Sequence, residues 1–140
     1  MLTKFWTVSN IGLAQHIPAI PGIVRLTYVR NTGAAFSALE GARWLFVVIF
    51  ILLTAALIYE YFFKRMPFTA AERWCIAAVY GGGLGNIIDR VRLGYVVDMI
   101  ETEFISFPVF NVADCFITCG CILLVTHLIL CNREFWKDGK

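Results

Sequence analysis

Acidic side chains crowd residues 89 to 114 of this chain: Asp89, Asp98, Glu101, Glu103 and Asp114. They are its best candidates for proton exchange. The histidines, His16 and His127, stand apart with no partner pattern, and there is neither a Gly-x-Ser-x-Gly elbow nor a His-Glu-x-x-His helix. Asn31-Thr32-Gly33 mimics the Asp-Thr-Gly of soluble aspartic proteases, but an amide at 31 cannot ionise. Cys75, Cys115, Cys119, Cys121 and Cys131 are odd in number and lie in apolar stretches, which is no disulfide framework. Cys115 and Cys119 share a helical face, yet no second close Cys/His pair completes a zinc site. Small buried packing residues are the expected role for the cysteines. No metal and no cofactor is expected.

Asp98 and Asp114 sit in contrasting settings. Asp114 follows the turn-like Phe107-Pro108-Val109-Phe110-Asn111, where an apolar run begins. The positive end of a helix dipole there would favour its ionised form. Asp98 lies in the apolar run Val96-Val97-Asp98-Met99-Ile100, where desolvation would favour its neutral form. Brought together, such a pair could share one proton, one member activating water and the other polarising a carbonyl. Spacing alone leaves the plainer readings open, with Asp114 a helix cap and Asp98 a strand residue meeting water. Asp89 beside Arg90 reads as an interfacial ion pair, and Asn31, Asn86 and Asn111 as turn residues or hydrogen-bonding supports.

These residues must be held by membrane spans. Of 140 residues, 59% are hydrophobic and 16% charged, against about 25% charged in ordinary soluble domains. So short a chain has too much surface for so few polar groups. One membrane-embedded domain, 1–140, is expected, with spans at about 44–63, 74–90 and 115–131. Trp44, Trp74, Tyr59, Tyr61 and Trp136 border them. His127, within the last span, is expected to be a neutral, hydrogen-bonded packing residue. Residues 64–73 carry Lys64, Arg65 and Arg73 against Glu72, and the tail carries Arg133, Lys137 and Lys140. These parts are read as cytoplasmic and segments 5–43 and 91–113 as extracytoplasmic, although Arg25, Arg30 and Arg43 oppose that rule. No basic run suits nucleic acid, and no obligate protein partner is evident.

Gly81, Gly82, Gly83 and Gly85 weaken a lone helix, and the Gly81-x-x-x-Gly85 spacing predicts a close helix approach. Residues 23–30 and 95–100 are rich in β-branched and aromatic side chains and predict short strands on the outer surface.

Four blocks occur in order: Asn31-Thr32-Gly33-Ala34-Ala35-Phe36-Ser37, Gly81-Gly82-Gly83-Leu84-Gly85-Asn86-Ile87-Ile88-Asp89-Arg90, Gly94-Tyr95-Val96-Val97-Asp98-Met99-Ile100 and Phe107-Pro108-Val109-Phe110-Asn111-Val112-Ala113-Asp114. Together they resemble the signature blocks of the prolipoprotein (type II) signal peptidases, over Leu2 to about Leu130. The resemblance implies a mainly α, polytopic membrane bundle of four helices with a small extracytoplasmic β-cradle, in the bacterial inner membrane. It implies an aspartic endopeptidase that cuts just before the lipidated cysteine of diacylglyceryl-modified prolipoproteins, at the outer face. Asp98 and Asp114 match its catalytic pair. Asn31, Asn86, Arg90 and Asn111 match substrate-binding or supporting positions, and Asp89, Gly33, Gly85 and Lys4 match structural ones. Thr3-Lys4 matches the end of the family's first-span pattern, Asp-x-x-Ser/Thr-Lys, whereas the aspartate and the span before it are not in the sequence. Three spans are therefore expected, with a family member that binds lipidated peptides without cutting as the alternative.

Overall fold

A computed structural model of the protein describes residues 1–33, 41–64 and 67–132. Ala34, Ala35, Phe36 and Ser37 of the first block, Arg65, and the tail residues Arg133, Trp136, Lys137 and Lys140 lie outside the described residues. In chain order the elements are α1 (Leu2–Asn10), β1 (His16–Ile20), β2 (Val24–Asn31), α2 (Arg43–Tyr59), α3 (Ala70–Leu93), β3 (Val96–Thr102) and α4 (Val112–Leu130). A π-helical turn, Glu60–Lys64, extends α2.

Arg43–Phe63 and Val112–Leu130 are long and apolar enough to cross a membrane. No side chain of α2 is buried, and in α4 only Gly120 is. An apolar helix that buries almost nothing within its own chain suits lipid contact. α3 is bounded by strong signals. Thr69 Oγ1 accepts the Glu72 N–H (3.3 Å) while the Glu72 carboxylate accepts the Thr69 N–H (2.7 Å), a capping box. Gly94 closes the helix at φ 85°, where a side chain would be strained. Glu72, read from sequence as a loop charge, is instead fully buried. Its carboxylate accepts from Asn132 Nδ2 (2.8 Å) and lies 2.9 Å from His127 Nδ1. His127 is thus a hydrogen-bonded packing residue.

The close approach of α3 and α4 rests on different glycines from those the sequence pointed to. A Cβ on Gly81 would meet nothing within 4 Å, and one on Gly85 only ordinary contact with Ala113 at 3.8 Å. A Cβ on Gly82 would stand 2.6 Å from the Ala113 carbonyl oxygen, and one on Gly120 2.8 Å from Val79 Cγ2. Neighbouring glycines point about 100° apart around a helix, so spacing alone could not choose between them. Gly82→Ala should therefore destabilise by about 1–3 kcal/mol through overpacking against backbone. Gly81→Ala should be neutral or gain up to about 1 kcal/mol of helix propensity. Thermal unfolding of both variants in detergent tests this, and equal stability would refute the packing assignment.

The sheet is antiparallel in the order β1-β2-β3. The predicted strands are β2 and β3; β1 and α1 were not anticipated. β1 contains Pro18 and is exposed throughout, as befits an edge strand. α1 buries Lys4 and Thr7, followed by Ile11, at helical spacing but with polar side chains, so no hydrophobic period announces it. That helix packs on one sheet face, where Ile11, Tyr28, Val97 and Met99 form the core. The other face carries Asn31, Val96 and Asp98, whose register pairs Val29 with Asp98 and Asn31 with Val96.

Candidate active site

One backbone contact sets the site. Phe110 bridges Ile100 with an N–H···O bond in each direction (3.0 and 2.7 Å). This lays the start of α4 against β3, so that Asn111, the next residue, falls beside Asp98. Asn111 Nδ2 donates to Asp98 Oδ1 at 2.6 Å, and Asn31 Nδ2, reaching diagonally across the β2–β3 pair, donates to Asp98 Oδ2 at 2.9 Å. Neither amide is free to turn over. Asn31 Oδ1 accepts the Gly33 N–H (2.9 Å), and Asn111 Oδ1 accepts the N–H groups of Ala113 (2.8 Å) and Asp114 (3.2 Å).

Asp114 is the third residue of α4, and its Oδ2 accepts the Asn111 N–H (2.9 Å), which closes a second capping box. The helix-cap reading is therefore right as far as it goes. The other oxygen faces the cleft, where Asn86 Nδ2 donates to Oδ1 at 2.7 Å. Asn86 Oδ1 in turn accepts from Asn111 Nδ2 (3.2 Å) and from Lys4 Nζ (2.8 Å). All four carboxylate oxygens of the pair thus have fixed donors, and one asparagine touches both acids.

Asp98 is 2% exposed. Burial, opposed by its bonds to Asn111 and Asn31, raises its pKa from 3.8 to about 6, and the charge of Asp114 adds to the rise. An acid raised in this way stabilises the fold fully below its unfolded pKa, and that contribution is lost as pH rises through about 6.

Lys4 Nζ donates to Asp89 Oδ2 at 2.7 Å, with both side chains nearly inaccessible. It also reaches the Gly85 carbonyl at 3.5 Å. The sequence reading paired Asp89 with Arg90; the structure corrects this. Adjacent helical residues diverge by about 100°, so Asp89 turns toward α1 and also accepts the Val97 N–H (3.1 Å). Arg90 turns to the cleft, donates to the Gly33 carbonyl (2.8 Å) and lies over the Phe46 ring at 4.3 Å.

The cleft is a cavity of about 550 Å³, lined by Asn31, Asn86, Arg90, Asp98 and Asp114 on its polar side. Phe107 to Phe110 and the α4 residues Cys115, Thr118 and Cys119 complete the lining. The cysteine reading needs correction too: Cys119, Cys121 and Cys131 are exposed, and Cys115 and Cys119 line the cleft. Cys115 and Cys119 are four residues apart and share one face of α4, next to the face that carries Asp114 and Thr118. Among the described residues no three His, Cys, Asp or Glu side chains gather as a metal site would require.

The family described as Signal peptidase (SPase) II matches residues 1–130. The chain belongs to that family. Lipoprotein signal peptidases of Streptococcus pyogenes serotype M5 (strain Manfredo) and serotype M18 (strain MGAS8232) are each 48% identical over 137 residues, covering 98% of this chain and 85% of theirs. Two solved structures, each described as a bacterial membrane enzyme, superpose with TM-scores of 0.84 and 0.81 at 33% and 34% identity. They cover 99% and 94% of this chain, and 83% and 85% of their own. The mainly helical membrane fold with a small antiparallel sheet is therefore that of the signal peptidase II family.

Proposed function

We propose that this chain removes the signal peptide from diacylglyceryl-modified prolipoproteins, cutting just before the lipidated cysteine, with Asp98 and Asp114 as the catalytic pair. The observation that carries this reading is the shared cleft, in which Asn111 bonds to both carboxylates and rigid amides hold the rest. In the reaction, Asp114 takes a proton from water as the water oxygen attacks the scissile carbonyl carbon. Asp98, the acid favoured in its neutral form, donates its proton to the carbonyl oxygen. Collapse of the tetrahedral intermediate returns that proton to Asp98 and breaks the C–N bond, and the leaving nitrogen takes the proton held by Asp114.

Arg90, braced by Gly33 and Phe46, serves substrate binding at the polar side. The apolar wall from Phe107 to Phe110 and the uncovered faces of α2 and α4 suit acyl chains and a signal helix. The spans are α2, α3 and α4. The site lies at the extracytoplasmic face of a bacterial inner membrane, a placement supported by the positive 64–73 loop and tail and by the acidic 91–113 segment, with Arg25, Arg30 and Arg43 against it. A member that binds without cutting is the less favoured alternative, since family likeness covers nearly the whole chain and both acids have their supports.

The test is turnover of a synthetic diacylglyceryl prolipoprotein peptide by the purified chain, with products identified by mass spectrometry. Cleavage before the lipidated cysteine is expected, with no cleavage of the unlipidated peptide. Because the pair works with one proton, kcat/KM should fall as pH rises through about 6, by about tenfold per unit on the alkaline limb. Substrate held but uncut at every pH would overturn the reading in favour of a binder.

A further inference from the structure

The end of the molecule that holds the cleft also carries three guanidinium groups that the site does not use. Arg30, Arg43 and Arg92 are all exposed. Among the described residues no carboxylate lies within ion-pair distance of any of them, whereas Arg25 is committed to Glu101 and Glu103. They gather around one turn, the Gly94-Tyr95 end of α3. The Arg30 guanidinium lies 5.1 Å from the Tyr95 ring centroid and 5.7 Å from that of Tyr28, and its Nε donates to the Tyr28 hydroxyl at 3.1 Å. Arg43 lies 5.0 Å over the Trp44 ring, and its Nη1 is 3.1 Å from where a Gly94 Cβ would sit. Arg92 precedes that turn between Val91 and Leu93, which are 52% and 45% exposed.

Cations beside an exposed tryptophan and uncovered aliphatic side chains make an interfacial arrangement, with rings and alkyl groups toward hydrocarbon and guanidiniums at headgroup level. Arg30 and Arg43 sit where the loop-charge rule expects positive charge to be scarce, and an anionic lipid headgroup beside them would complement their charge. A guanidinium fork matches a phosphodiester in two hydrogen bonds, and aromatic stacking orders the fork in advance. We propose that Arg30, Arg43 and Arg92 bind the phosphodiester headgroup of an anionic membrane phospholipid. The bound headgroup braces the turn from which β3, the strand of Asp98, departs. This inference rests on the membrane placement of the chain and is independent of its peptidase chemistry.

The experiment reconstitutes the full chain in nanodiscs of equimolar phosphatidylglycerol and phosphatidylcholine, and native mass spectrometry counts the lipids it retains. The wild type should retain phosphatidylglycerol preferentially. Each Arg→Gln change should weaken that preference by roughly fivefold, and R30Q/R43Q/R92Q should show none. R73Q, at the opposite end of α3, should keep it. If the triple variant fails to fold, the single variants carry the same reading. A wild type without preference, or Gln variants that keep it undiminished, would overturn the proposal.

Discussion

Replacing Asp114 by Asn should lower cleavage of a lipidated substrate by at least about 10²–10⁴-fold, the usual contribution of a positioned proton acceptor. Asp98→Asn should cost at least as much, because halves of a cooperative pair do not act independently. Neither variant will be structurally silent. The donors facing Asp98 come from Asn31 and Asn111, whose amides are locked by backbone N–H groups. In Asp98→Asn the new side chain must turn its own NH2 toward one of them, and leaving a buried donor unmatched costs about 1–3 kcal/mol. Asp114→Asn meets the same conflict between Asn86 Nδ2 and the Asn111 N–H. Activity should nonetheless fall far more than stability, which unfolding and turnover measured in the same detergent will separate. Glu103→Gln, at an exposed contact with the Gly22 N–H, is the control expected to retain turnover. Near-normal turnover by D114N would remove Asp114 from the mechanism.

The second large effect concerns Lys4, which is far from the pair in sequence. Lys4→Met leaves Asp89 without its partner in a nearly inaccessible site, and breaking a buried pair from one side costs about 3–5 kcal/mol. In a chain of this size that lowers Tm by roughly 10 °C. Turnover should fall as well, because Lys4 helps fix Asn86 Oδ1 and so aims Asn86 Nδ2 at Asp114. A purely structural role would not move the pH profile. Lys4 also holds the Asp98 pKa down by its charge, so in K4M the alkaline limb should move to higher pH. A K4M protein with wild-type Tm and an unmoved limb would show that this pair supports neither the fold nor the site.

The sequence by itself determined the membrane character, the mainly helical class, the two strands beside the site and the residues worth testing. Apolar runs and β-branched runs are local signals, and Asp98, Asp114, Asn31, Asn86, Asn111 and Arg90 stand in blocks whose order and spacing resemble one family's. Only the tertiary structure decided who touches whom. The Phe110–Ile100 bridge brings Asn111 to Asp98, Lys4 rather than Arg90 faces Asp89, and Gly82 rather than Gly81 lies against the Ala113 backbone. Each of these depends on the rotation of one element about its axis relative to another, and adjacent residues on a helix differ by about 100° in that rotation. α1 was invisible for the complementary reason: its buried face is made of Lys4 and Thr7, and a polar face acquires meaning only beside the partners that satisfy it.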